Sequence, residues 1–127
     1  MAEDFPFLTD ILSQPKGLQD VIDGFDPGLL RDLGRRLQGG EFDRVVITGM
    51  GASTFGSYPA WLQLVQHGVP AFWADTSEVL AAMPRMITPR TLLWVVSNSG
   101  KSIEITRLLK RLGEFGKPFL LANSNDP

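Results

Sequence analysis

From Arg44 onward, apolar runs of β type alternate with runs of helical period, and two of the β runs end in polar loops carrying glycine and serine. Val45-Val46-Ile47 leads into Gly49-Met50-Gly51-Ala52-Ser53-Thr54. Leu92-Leu93-Trp94-Val95-Val96 leads into Ser97-Asn98-Ser99-Gly100-Lys101-Ser102. Alternation of this kind predicts a parallel sheet with helices packed on its faces. In such open sheets ligands bind outside the carboxyl ends of the strands, so the two loops are placed to share one crevice. Each loop also sets hydroxyls and backbone N–H groups at the start of a helix, where an anion is favoured.

Strands are expected at Arg44–Thr48, Ala71–Ala74, Thr91–Val96 and Phe119–Ala122. The third is the most apolar run and belongs in the interior of the sheet. The helix after the first loop carries Trp61, Leu62, Leu64 and Val65 and stops at Gly68. Pro59, about one turn inside it, should kink that helix or mark a restart at Ser57. Ser77–Ala82 reads as a short helix. The helix after the second loop presents Ile105, Leu108, Leu109 and Leu112 on one face. Its Glu104 near the start and its Lys110 and Arg111 near the end suit the helix dipole.

Residues 1–40 read as a helical lead in three short pieces. Phe7, Leu8, Ile11 and Leu12 form one apolar face, and Pro15 opens a second helix with Leu18, Val21 and Ile22. Asp26-Pro27 starts a third, lined by Leu29, Leu30, Leu33 and Leu37 and ended by Gly39-Gly40. The expected fold is therefore α/β: a flavodoxin-like parallel sheet of order 2-1-3-4 over residues 41–127, behind the lead. The polar run Asn123-Ser124-Asn125-Asp126-Pro127 after the last strand would ordinarily feed another helix. The sheet is thus expected to be incomplete at its C-terminal end, with the chain a front part of a longer protein or its last strand covered by a partner.

Composition removes several function classes. The 127 residues are 43% apolar, enough for one core. A net charge of −2 offers no field that would hold nucleic acid or an anionic membrane. The absence of cysteine excludes disulfides, thiolate metal sites and a cysteine nucleophile, and the single His67 builds no multi-histidine site, so no metal or other cofactor is expected. Met1-Ala2-Glu3-Asp4 is acidic where a secretory leader would be basic, and no apolar run reaches membrane-spanning length. A cytoplasmic protein is expected.

A phosphate group suits the loops best. Ser97, Ser99 and Ser102 in one and Ser53 and Thr54 in the other supply hydroxyl donors, while Gly51 and Gly100 let the backbone approach closely. The plain structural alternative is that these serines only cap helices. A dinucleotide site is the chemical rival, with Gly49-x-Gly51 and Asp75 as its ribose partner. Its third glycine would fall at Thr54, however, and Gly56 comes too late. No Gly-Lys-Ser/Thr stands at the spacing of a P-loop.

The chain resembles the sugar isomerase (SIS) domain family, whose members include the isomerase half of glucosamine–fructose-6-phosphate aminotransferase. The resemblance rests on five segments in order. Ile11-Leu12-Ser13-Gln14-Pro15 is similar to the lead-in of the two-domain members, and Gly49 to Ser53 to their first phosphate loop. Thr76-Ser77-Glu78 resembles the segment after strand two, Ser97 to Ser102 the second phosphate loop, and Asn123-Ser124 the polar end of strand four. The resemblance implies that Ser53, Ser97, Asn98, Ser99 and Ser102 hold the phosphate of a sugar phosphate, and that the protein forms homodimers. Three positions in or beside that site depart from the family pattern. Ala52 replaces a hydroxyl residue, Lys101 reverses the charge of a glutamate, and Asn98 shortens a glutamine.

Aldose–ketose isomerisation needs a base to move a proton between adjacent carbons and an acid to open the ring. In the two-domain relatives those groups lie beyond the stretch this chain resembles. Glu104 reads as a dipole-complementing residue, Glu78 as a helix-start residue and His67 as a helix-end residue. No catalytic residue is therefore assigned. The leading expectation is a phosphosugar-binding part of an isomerase or aminotransferase acting on a hexose 6-phosphate or an amino sugar phosphate. A non-catalytic phosphosugar sensor is the second reading, and a nucleotide-binding domain the third.

Overall fold

The computed structural model describes residues 5–124. The acidic tetrapeptide at the N-terminus and Asn125-Asp126-Pro127 lie outside the described residues. The chain divides into two compact units, one through Arg35 and one from Arg36.

The first unit is helical. Helix α1 spans Pro6–Gly24 and α2 spans Gly28–Gln38. The expected break at Pro15 does not occur: Pro15 lies inside one 19-residue helix. A proline removes one intrahelical N–H and crowds the preceding turn, and here that loss does not end a helix. Asp26 starts α2 as its sequence suggests, accepting a hydrogen bond from the Gly28 N–H at 2.8 Å.

The second unit is a four-stranded parallel sheet in the expected order β2-β1-β3-β4. The strands are β1 (Arg44–Gly49), β2 (Ala71–Asp75), β3 (Thr91–Val96) and β4 (Phe119–Asn123). β1 and β3 pair over their whole length, with Gly49 opposite Val96 at the carboxyl ends. The helix after β1 comes in two pieces, α3 (Ala52–Gly56) and α4 (Tyr58–Gln66), divided at Ser57 as Pro59 requires. α5 (Thr76–Ala82) follows β2 and α6 (Ile103–Lys110) follows the second loop.

Side chains alternate between the two faces of the strands. On one face Val46, Leu93 and Val95 join Val79, Ile105, Leu108 and Phe115 in a single buried cluster. Leu112, just past α6, packs partly buried against it, and 105, 108 and 112 keep the 3-then-4 spacing of one helical face. Leu109, expected on the same apolar face, is exposed. On the opposite side Trp61 and Trp73 tie α3 and α4 to β2. Trp61 Nε1 donates to the Ala71 carbonyl at 3.0 Å, and Trp73 Nε1 donates to the Thr54 carbonyl at 2.9 Å.

Within the second unit the Arg36 guanidinium donates two hydrogen bonds of 2.7 Å to the Glu41 carboxylate and lies 4.3 Å from the centroid of the Phe119 ring. These hydrogen bonds hold the Glu41 carboxyl below its ordinary value. A depressed carboxylate contributes stability above its unfolded value and loses it as pH falls through its folded value. The melting-temperature advantage of the native chain over Glu41→Gln is therefore expected to be small, present at pH 6, and to shrink as the solution is acidified below the ordinary glutamate range. An advantage that grew on acidification would contradict this assignment.

Candidate phosphate site

The two serine loops meet where β1 and β3 end. Met50, Ala52, Ser53, Ser97, Asn98, Ser99 and Ser102 line a cleft of about 260 Å³. A second cleft of about 260 Å³ shares Ser53, Ser97 and Asn98 and continues to Asn123 and Ser124 at the end of β4. Ser53, Ser97, Asn98, Ser99 and Ser102 thus gather along one crevice, whereas Thr54, expected to add a hydroxyl, is buried and lies instead beside Phe55, Trp73 and Glu78. Asn123 and Ser124, from the polar run that ends the last strand, line the crevice too.

Backbone geometry explains the glycines. Gly51, at φ 55° and ψ −126°, occupies a region closed to residues with a Cβ, and it starts α3. Gly100 has φ 67° and turns the second loop. The close approach within the fold falls instead at Gly49. A Cβ there would lie 2.6 Å from the Val96 carbonyl oxygen and 3.2 Å from the Thr54 nitrogen. Absence of a side chain at Gly49 lets the first loop sit against the end of β3.

The hydroxyls organise the second loop. Ser97, buried at 7% exposure, accepts a hydrogen bond from the Gly100 N–H at 2.8 Å. Its own N–H donates to the Asn123 carbonyl at 2.9 Å, which fixes it to β4. Ser99 Oγ accepts from the Lys101 N–H at 3.2 Å. These two N–H groups are therefore taken up inside the loop, and a hydroxyl that accepts in this way still has its proton to donate. Ser102 is the N-cap residue of α6, yet its side chain makes no capping hydrogen bond. The purely structural reading, serines as helix caps, does not describe Ser102. In the first loop the Ser53 and Thr54 N–H groups turn back to the Met50 and Gly51 carbonyls, and Ser53 lines the cleft.

The rival candidates have other duties. Asp75 accepts from the Ser77 N–H at 3.0 Å, and Glu78 accepts from the Asp75 N–H at 3.2 Å, a capping box at the start of α5. Glu104 lines a separate cleft between α5 and α6. His67 ends α4, with Nδ1 2.7 Å from the Gln63 carbonyl, on the side where β2 begins rather than where the strands end. The side chains lining the two clefts are hydroxyl, amide and apolar, with no carboxylate, imidazole or amine among them. Among the described residues no cluster of His, Cys, Asp or Glu fits a metal ion, and no helix is long and apolar enough to cross a membrane.

No family model matches the chain. By sequence it is 29% identical over 107 residues to the Escherichia coli arabinose 5-phosphate isomerase KpsF, covering 76% of this chain and 34% of that protein. It is 35% identical over 82 residues to the Francisella tularensis arabinose 5-phosphate isomerase KdsD, covering 65% of this chain and 25% of that protein. The chain thus spans about a third or less of the length of these curated relatives. By fold it matches an E. coli CFT073 protein solved in complex with arabinose 5-phosphate, with TM-score 0.75, 21% identity, and coverage of 98% of this chain and 67% of that one. Tagatose-6-phosphate ketose/aldose isomerase from E. coli matches with TM-score 0.69, 19% identity, and coverage of 90% and 33%. The chain is thus similar in sequence to arabinose 5-phosphate isomerases, and its parallel sheet of order 2-1-3-4 with flanking helices is the α/β fold of the sugar isomerase (SIS) domains of phosphosugar isomerases.

Proposed function

We propose that this chain grips the phosphate of a sugar phosphate and forms the substrate-holding part of a sugar-phosphate isomerase. The observation that carries the reading is the pair of serine loops converging on one crevice, with Ser97 locked between Gly100 and Asn123 and Ser53 opposite it. Hydroxyl donors on a rigid frame suit a phosphate that must be held while chemistry proceeds further along the sugar. The phosphosugar isomerases among its relatives support the same ligand class and add pentose phosphates to the hexose phosphates. Ser53, Ser97, Asn98, Ser99 and Ser102 are the proposed contacts, with Ala52 and Lys101 beside them. A homodimer working in the cytoplasm completes the reading, supported by the family likeness and by a sequence without cysteine.

Thermal shifts with arabinose 5-phosphate, fructose 6-phosphate, glucosamine 6-phosphate and NAD test it. A sugar phosphate at about a hundred times its Kd adds about 2.7 kcal/mol, which raises Tm by roughly 10 °C. Stabilisation by NAD alone would overturn the proposal in favour of a nucleotide site.

The side chains of the crevice favour holding over turnover, because none of them is a proton-transfer group of suitable strength. Residues 1–127 are expected to bind the sugar phosphate without isomerising it, as a coupled assay of the pure chain would show. Turnover above the uncatalysed rate would refute this division of labour.

A further inference from the structure

Away from the phosphate crevice, two clefts of the second unit meet at Arg111. The first, of about 520 Å³, lies between α5 and α6, with Leu80 and Ala81 on one wall and Glu104, Arg107, Lys110 and Arg111 on the other. The second, of about 580 Å³, lies where the short helical turn Pro84–Met86 faces the end of α6. Pro84, Pro89 and Phe115 line it, and Arg85, Arg111 and Glu114 supply its charges. Neither cleft shares a residue with the phosphate crevice, and every residue of both belongs to the second unit. Four cations against two carboxylates leave a positive surplus here, in a chain whose net charge is −2. Among the described residues Arg85, Arg107 and Lys110 form no ion pair. Arg111 is held at the junction: its Nε donates to the Glu114 carboxylate at 2.9 Å, and its guanidinium lies 5.3 Å from the centroid of the Phe115 ring. Its terminal N–H groups remain to donate elsewhere. Arginine beside apolar surface is a pairing enriched at interfaces between proteins.

We infer that the two clefts form one docking groove for an acidic, extended segment of a partner protein. Its carboxylates meet Arg107, Lys110, Arg111 and Arg85, and its apolar side chains lie against Leu80, Ala81, Pro84 and Pro89. Length and sign favour this occupant. At about 1.5 Å per residue, the path along α6 and the turns after it, from Glu104 to Gly116, runs roughly 18 Å. That is the length of about five residues of extended chain, and longer than a sugar phosphate. Glu104 and Glu114 interrupt the row of cations. Such a row repels a continuous phosphate backbone but accommodates carboxylates spaced along a peptide. An anionic lipid surface, with its unbroken negative charge, fits it as poorly as a nucleic acid does.

Fluorescence anisotropy of the full chain with a fluorescein-labelled octapeptide of alternating glutamate and leucine tests the groove. Saturable binding is expected, weakening about tenfold as salt rises from about 50 to about 300 mM. Replacing the glutamates by lysine or the leucines by serine should weaken it about tenfold or more; undiminished binding of either peptide would overturn the assigned chemistry. Arg107→Gln/Lys110→Gln is expected to weaken binding about tenfold, with melting temperature and phosphosugar affinity unchanged, because both side chains are exposed and lie outside the crevice. Arg31→Gln/Arg35→Gln removes as much charge from α2 and should leave peptide binding as it was. Equal losses in the two variants would reduce the effect to net charge and overturn the groove, as would undiminished binding by Arg107→Gln/Lys110→Gln. Failure of the peptide to bind at about 1 mM protein would overturn the inference. So would capture of a single-stranded oligonucleotide or of phosphatidylglycerol vesicles in its place.

Discussion

Gly49→Ala is expected to lower the stability of the chain by about 3 kcal/mol and its melting temperature by roughly 10 °C. The added methyl would stand 2.6 Å from the Val96 carbonyl oxygen, 3.2 Å from the Thr54 nitrogen and 3.4 Å from the Ser53 carbonyl carbon. All three are backbone atoms, so no side chain can swing aside. Either β1 and β3 part at their carboxyl ends or the first loop is pushed out of the crevice. Both outcomes separate Ser53 from Ser97, so phosphosugar affinity should fall along with stability. Gly17→Ala is the matched control: no heavy atom lies within 4 Å of its Cβ position, and alanine in a helix is favoured by up to about 1 kcal/mol. Thermal melts of the two variants decide the matter. A Gly49→Ala protein that melts within about a degree of the native chain would show that β1 and β3 do not approach so closely.

Ser97→Ala is expected to weaken sugar-phosphate binding by roughly 10- to 100-fold, since hydrogen bonds to charged groups contribute about 1.5–3 kcal/mol. The substitution removes a donor to the phosphate and also strips the Gly100 N–H of its acceptor. The turn that presents Ser99 and Ser102 then loses its tie to Ser97, which adds to the loss of the direct contact. Ser99→Ala should cost less, because its 3.2 Å bond to the Lys101 N–H is longer and the residue is exposed. Ser97→Thr, which keeps the hydroxyl, should recover most of the affinity. Titration calorimetry with arabinose 5-phosphate would measure all three. Equal Kd values for native and Ser97→Ala protein would remove Ser97 from the site.

Much of the second unit is written in local pattern. The switch from helical to β period at Arg44, the restart at Ser57 before Pro59, and the 2-1-3-4 order all follow from spacing and the rules of parallel sheets. The serine loops were legible because two of them follow two strands. Other properties depend on atoms brought near only by folding. Gly49 owes its identity to a carbonyl on β3, forty-seven residues later in the chain, which no local reading of its own loop supplies. The use of serine oxygens to bind Gly100 and Lys101 is likewise a matter of loop geometry. In the first unit, Pro15 misled because a proline signal is local, whereas helix continuity is settled by all the turns around it.

Trp73 gives the site a built-in optical reporter. Its indole N–H reaches the Thr54 carbonyl, one residue from Ser53, and the Ser57 hydroxyl at 3.1 Å, while Phe55 packs edge-on against its ring. Any movement of α3 as Ser53 closes on a ligand must change that ring's surroundings. Emission recorded without a label, with Trp61→Phe and Trp94→Phe in the background to isolate one fluorophore, would then follow occupancy of the crevice in real time.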